Sequence, residues 1–145
     1  MLINKDIQIT NRLMGSIPHG ADLLQSLTKI AVDNNITLGR VEAIGAVQKA
    51  CIGFYDQSTK TYDHVKLEAP LEILNLTGNI SIKDGKPMVH AHVTLSDHQG
   101  KAIGGHLFEG TTVFACEWLI EVFTGPELVR KLDDKTGLTL WSKDS

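Results

Sequence analysis

Lys86-Pro87-Met88-Val89-His90-Ala91-His92-Val93-Thr94-Leu95-Ser96 alternates strictly from Val89 onward. Val89, Ala91, Val93 and Leu95 are apolar, while His90, His92 and Thr94 are polar. Successive side chains of a strand point to opposite faces. The stretch therefore predicts a strand with its apolar face on a core and both histidines on the other face. Asp97–Gly100 reads as a turn, and Lys101–Phe108, containing Ile103-Gly104-Gly105-His106-Leu107, as the next strand. Such a hairpin brings His106 towards His90 and His92, although its register is not legible in the sequence.

Working outward, Leu71–Lys83 predicts a long strand bent at Gly78, joined to the histidine strand through Asp84-Gly85, a pair that tolerates positive φ. Thr37–Val47, Lys49–Asp56 and Thr61–Glu68 predict further strands, the last two linked by a turn at Gln57-Ser58-Thr59-Lys60. Thr112–Thr124 predicts a long apolar strand, with Thr112, Phe114, Cys116, Trp118, Ile120 and Val122 on one face. A short helix is expected after Gly125-Pro126 and a short strand around Leu138–Trp141.

The helical signal lies near the start. Residues 7–17 predict an opening strand, which Pro18-His19-Gly20 ends. Between Ala21 and Asn34, Leu23, Leu27 and Ile30 recur at i, i+4 and i+7, giving one amphipathic helix that Asn34-Asn35 stops. The fold class is α+β: a mainly antiparallel sheet with one main helix packed on it. Residues 1–145 are expected to form a single domain, in keeping with the length and the lack of repeats or linkers. Apolar residues on both faces of Thr112–Thr124 require a second covered surface, through self-association or through a two-sheet monomer.

Composition narrows the function. Fourteen Lys and Arg face 17 Asp and Glu, a net charge of −3, which excludes a strongly basic nucleic-acid domain. No apolar stretch spans a bilayer and no export signal is evident, so a soluble cytoplasmic protein is expected. Cys51 and Cys116 sit in apolar runs and read as small buried hydrophobes. Phosphate-binding glycine motifs and a nucleophile elbow are absent from the sequence.

The histidines carry the chemistry. Three imidazoles suit zinc or a neighbouring transition metal and leave a coordination position open for water or substrate. The alternative is three polar residues on a solvent-facing sheet. Gly104-Gly105 lets backbone pass closely there. Glu68, Glu72, Glu117 and Glu121 are candidate general bases for a metal-bound water, or else exposed or ion-paired sheet residues. Arg12 and Asp22 flank the strand-to-helix turn and read as structural, with anion binding at the helix N-terminus as the alternative. His19, His64 and His98 read as surface or satisfied polar residues.

Several stretches resemble the PPC (plant-and-prokaryote-conserved) domain in its prokaryotic stand-alone form. They are Gly20–Leu27, Ile44-Gly45-Ala46-Val47, Ile52–Asp56, Glu72-Ile73-Leu74-Asn75-Leu76-Thr77-Gly78-Asn79-Ile80-Ser81, Val89–Ser96 and Gly104-Gly105-His106-Leu107. The resemblance runs over about residues 12–123. It implies a homotrimer, with His90, His92 and His106 as ligands of a metal, zinc foremost. It also implies a regulatory or DNA-associated role, since the plant members follow AT-hook segments. This sequence has no Arg-Gly-Arg-Pro hook and no basic arm, which argues against direct DNA binding. The competing expectation is a small metal-dependent enzyme, a hydrolase or lyase, built on the same three histidines.

Overall fold

In the computed structural model, which describes residues 3–142, the opening strand β1 (Gln8–Ile17) leads into helix α1 (Leu23–Asp33). Asp22 caps the helix: its carboxylate accepts from the Gln25 N–H at 2.9 Å and from the Gly110 N–H at 2.6 Å. The helix stops at Asn34-Asn35, where Asn35 takes φ +52° and Ile36 N–H closes on the Ala31 carbonyl at 2.8 Å. Leu23, Leu27 and Ala31 form its fully buried stripe.

The chain then runs as strands: β2 (Gly39–Asp56), β3 (Thr61–Leu67), β4 (Leu71–Lys83), β5 (Lys86–Ser96), β6 (Ala102–Leu107), β7 (Thr112–Thr124), β8 (Val129–Asp133) and β9 (Leu138–Trp141). All pairings among them are antiparallel except a short parallel one, Ile82↔Val129 and Lys83↔Arg130, between β4 and β8. The α+β, strand-dominated class expected from the sequence is therefore the observed one.

The 18-residue β2 organises the sheet. Its first half pairs with β7 on one side and β4 on the other, and its second half pairs with β3 and β6. Because β4 pairs with β5 and β5 with β6, the path β2–β4–β5–β6–β2 closes on itself. Inside this curve lies the core: Val41, Leu76, Ile80, Leu95, Leu107 and Ile120, with the buried stripe of α1 against them.

Four sequence expectations change. Thr37–Val47 and Lys49–Asp56 are one strand, because register shifts around Ala43–Lys49 let β2 bend without breaking. The irregularity in β4 falls between Ile73 and Asn75, whereas Gly78 is needed for close approach: a Cβ there would strike the His90 carbonyl oxygen. In β7 a bulge skips Phe114, so Val113 is fully buried and Phe114 is 57% exposed; the alternation that grouped Phe114 with Cys116 slips there. After Gly125-Pro126 the chain forms the β8–β9 hairpin instead of a helix, because the alternating Val129–Asp133 finds partners on both sides.

Both cysteines are buried and unbridged, and burial pushes the Cys116 thiol up to about 11. Among the described residues no helix is long and apolar enough to cross a membrane. Replacing Leu27 by Ala removes the centre of the helix stripe. The expected cost is about 2–5 kcal/mol of unfolding free energy, measured as a lowered urea midpoint at unchanged slope.

Candidate metal centre

β5 places its side chains as the alternation predicts. Val89, Ala91, Val93 and Leu95 are buried in the core, and His90 and His92 stand on the outer side. The register then delivers the third histidine: His92 lies directly opposite His106 across the β5–β6 ladder. Two glycines set how closely β6 can lie between its neighbours. A Cβ on Gly104 would come within 2.7 Å of the Val93 carbonyl oxygen, and one on Gly105 within 2.7 Å of the Gly53 carbonyl oxygen. The glycine pair thus makes room for neighbouring backbone rather than for a ligand.

The three rings converge. Their centroids are 5.3 Å apart for His90–His92, 5.0 Å for His90–His106 and 5.4 Å for His92–His106. One nitrogen from each ring lies within 4.8 Å of the others. Imidazole–metal bonds of about 2.0–2.1 Å bring three tetrahedral nitrogens to roughly 3.3 Å from one another, so a small rotation of each ring closes the set on one ion. The donor set also has the right protonation. His90 is pushed down to about 4, chiefly by burial and then by the charges of Arg130 and His92. His106 is likewise pushed down to about 4, by burial first and then by His90, His92, His64 and Arg130. Both are neutral ligands at physiological pH.

The surroundings were not legible in the sequence. Arg130, on β8, is 6% exposed and reaches across to the histidines. Its Nε donates to Ser81 Oγ at 2.8 Å, Nη1 to the Thr139 carbonyl at 3.2 Å, and Nη2 to Asn79 Oδ1 at 2.7 Å. Nη2 also lies 3.5 Å from His90 Nδ1. The guanidinium sits over the Trp141 ring at 5.4 Å, and Trp141 Nε1 donates to Ser81 Oγ at 3.1 Å. On the other flank the Tyr62 hydroxyl is 3.5 Å from His106 Nδ1, and the two rings stack at 4.9 Å. His106 Nδ1 can donate to the Tyr62 hydroxyl and leave Nε2 for an ion, whereas the guanidinium beside His90 Nδ1 has only donors and offers that ring no acceptor for an Nδ1 proton.

Two recesses border the cluster. One of about 680 Å³ opens beside His90 and His92, against Arg40, Asn79, Phe123 and Trp141. The other, about 200 Å³, lies beside His90 and His106, against Tyr62, Lys83 and Arg130. Among the described residues no Asp or Glu lines either one. Of the four glutamates considered as bases, Glu68, Glu72 and Glu117 are exposed, and Glu121 pairs with Arg12 at 3.1 Å. Asp22 is the helix cap, a structural role. His98 is exposed in its turn, His19 bonds the Phe114 carbonyl at 2.9 Å, and His64 packs on Phe108 with centroids 4.2 Å apart.

The Plants and Prokaryotes Conserved (PCC) domain model matches residues 5–124. The chain belongs to this family. A solved structure from Archaeoglobus fulgidus, described as a metal-containing protein, is 38% identical with a TM-score of 0.93, covering 98% of this chain and 100% of that one. A plant- and prokaryote-conserved (PPC) protein from Pyrococcus horikoshii is 31% identical with a TM-score of 0.92, covering 98% of each chain. A protein from Bacteroides thetaiotaomicron, provisionally described as DNA-binding, is 26% identical with a TM-score of 0.86, covering 97% of this chain and 99% of that one. Among curated proteins, the bifunctional protein GlmU of a Synechococcus strain is 35% identical over 121 residues, 81% of this chain but 18% of the relative. The chain thus spans less than a fifth of the curated relatives it matches.

The depressed histidines give a pH test on the metal-free chain. Their folded values of about 4 lie below the ordinary 6.5, so the unfolded chain binds more protons between those limits. Their contribution to stability is complete above about pH 6.5 and falls as pH drops towards 4. Urea midpoints measured across that window are expected to fall more steeply for the native sequence than for His106→Asn.

Proposed function

We propose that this chain is a metal-binding member of its family, in which His90, His92 and His106 hold one divalent transition metal, zinc foremost, through three nitrogens. The convergence of three imidazoles, with nitrogens within 4.8 Å of one another, carries this reading. The metal-containing description of the Archaeoglobus fulgidus relative supports it. When bound, the metal supplies an open coordination position and a strong local positive charge. The chain's own residues do the rest. β5 and β6 hold the rings in register, and Tyr62 orients the His106 ring from behind.

The role is regulatory or interaction-based, and the assembly is a homotrimer. Exposed apolar side chains support self-association: Met14 is 77% exposed, Phe54 69%, Ile44 57% and Leu74 52%. The absence of a carboxylate base beside the cluster, among the described residues, favours binding over hydrolase or lyase chemistry. A direct grip on DNA is not part of this reading. The net charge is −3 and the sequence holds no AT-hook, whereas phosphate neutralisation dominates DNA affinity.

Metal analysis of protein purified without chelators tests the centre. Near-stoichiometric zinc is expected in the native sequence. His92→Ala should lose metal affinity by more than the roughly 10–100-fold that removing an outer hydrogen-bond partner costs; equal metal content in the two proteins rejects His92 as a ligand. In a gel shift with A·T-rich duplex at physiological salt, no band shift is expected at micromolar protein. Sedimentation equilibrium is expected to return three times the monomer mass.

A further inference from the structure

Arg130 is a buried cation for which the described residues offer no carboxylate. Its four polar neighbours are Ser81, Asn79, the Thr139 carbonyl and His90, and none of them, nor the Trp141 ring beneath it, carries a negative charge. Burying a charge without a counter-charge is costly, and the neutral partners offset only part of that cost. Its position makes the matter sharper. Histidines that bind metals usually give their second nitrogen to an acceptor such as a carboxylate or carbonyl, which adds electron density to the ligand. Here His90 Nδ1 faces a guanidinium nitrogen at 3.5 Å. A divalent ion held by the three rings therefore has a fixed positive charge across the His90 ring from it. Lys83 borders the smaller recess, Arg40 at the larger one is paired with Glu42, and no acidic side chain among the described residues lines either recess.

Such a centre is electrostatically incomplete with a metal alone. We propose that it takes a small-molecule anion, a carboxylate or phosphate carried on an apolar body, whose charged oxygens occupy the side of the metal open to the larger recess, drawn there by the uncompensated charge of Arg130 behind His90. This rests on the metal-binding reading above and names the ligand class of that same site. The apolar part of the assignment comes from the larger recess, where Ile7, Leu38, Ile80, Phe123 and Leu128 face the same space as His90 and His92. At about 680 Å³ that recess has the size of a small-molecule pocket. Arg130 acts in two directions. It repels the bare ion and attracts the anion, so it couples the two binding events: each ligand tightens the other, with the same factor in both directions.

The test uses the full chain loaded with cobalt(II), whose visible spectrum reports coordination, together with calorimetry. Three probes separate the elements of the proposal: benzoate, its uncharged analogue benzamide, and acetate, which has the head without the body. Benzoate is expected to change the cobalt spectrum and to bind more tightly than acetate, while benzamide leaves the spectrum unchanged. Arg130→Gln is expected to weaken benzoate by about tenfold or more, and to bind cobalt more tightly than the native sequence when no anion is present. Arg130→Lys keeps the charge without the fork and is expected to fall between the two. A merely structural Arg130 would not strengthen cobalt binding when removed.

Failures are separable. A chain that takes up no cobalt overturns the metal reading and the anion proposal with it. A cobalt-loaded chain whose spectrum benzoate does not move, or that binds benzamide equally well, overturns the anion proposal and leaves the metal reading standing. Acetate binding as tightly as benzoate removes the apolar body from the assignment. The benzoate–benzamide comparison uses the unaltered protein, so it decides the charge requirement even if Arg130→Gln does not fold.

Discussion

The ladder between β5 and β6 is the constraint on which the centre depends. His92 and His106 stand opposite each other only in one register, and a slip of one residue would turn His106 to the other face of its strand. That register is held by the apolar alternation of Val89–Leu95 on the core side and by the narrow slot in which Gly104 and Gly105 lie. Core packing and site geometry are therefore the same fact seen from two sides of one sheet. A change that loosened the buried side of β5 would displace the rings on its outer side.

Electrostatics then determines what this geometry can do. Partial burial keeps two of the three rings uncharged at neutral pH, which makes them ligands rather than a cluster of cations. The same burial holds Arg130 in a cage of neutral donors and acceptors. One flank of the cluster is aromatic, through Tyr62 and Phe108, and the other is cationic. Among the described residues the carboxylates, usual companions of a hydrolytic metal centre, are taken up by caps, turns and ion pairs, Arg40–Glu42 at the edge of the larger recess included.

Much of this was legible in the residues. The alternation of β5 fixed which side His90 and His92 take, the i, i+4, i+7 pattern located α1, and Asp84-Gly85 marked a hairpin whose two residues do have positive φ, +51° and +74°. The Asp97–Gly100 turn pointed His106 towards that pair, and the resemblance made it the third ligand. What escaped was whatever depends on partners distant in sequence. The continuity of β2 rests on pairing with four other strands, and no local pattern reports that. The bulge at Phe114 reversed a face assignment because alternation is blind to an inserted residue. Arg130 lies 40 residues from His90 in a segment whose helix-like punctuation concealed a strand. Its one local signal was the alternation Val129-Arg130-Lys131-Leu132, too short to outweigh Gly125-Pro126.

The β8–β9 hairpin supplies Arg130, Thr139 and Trp141, yet it lies outside residues 5–124, the stretch that defines family membership. The scaffold that presents the rings and the hairpin that walls them thus come from different stretches of chain. Two relatives alike throughout the shared region can diverge in chemical taste through a dozen residues at the tail. Grouping such proteins by their common region sorts them by architecture, and the wall around the ion is where their occupations would part.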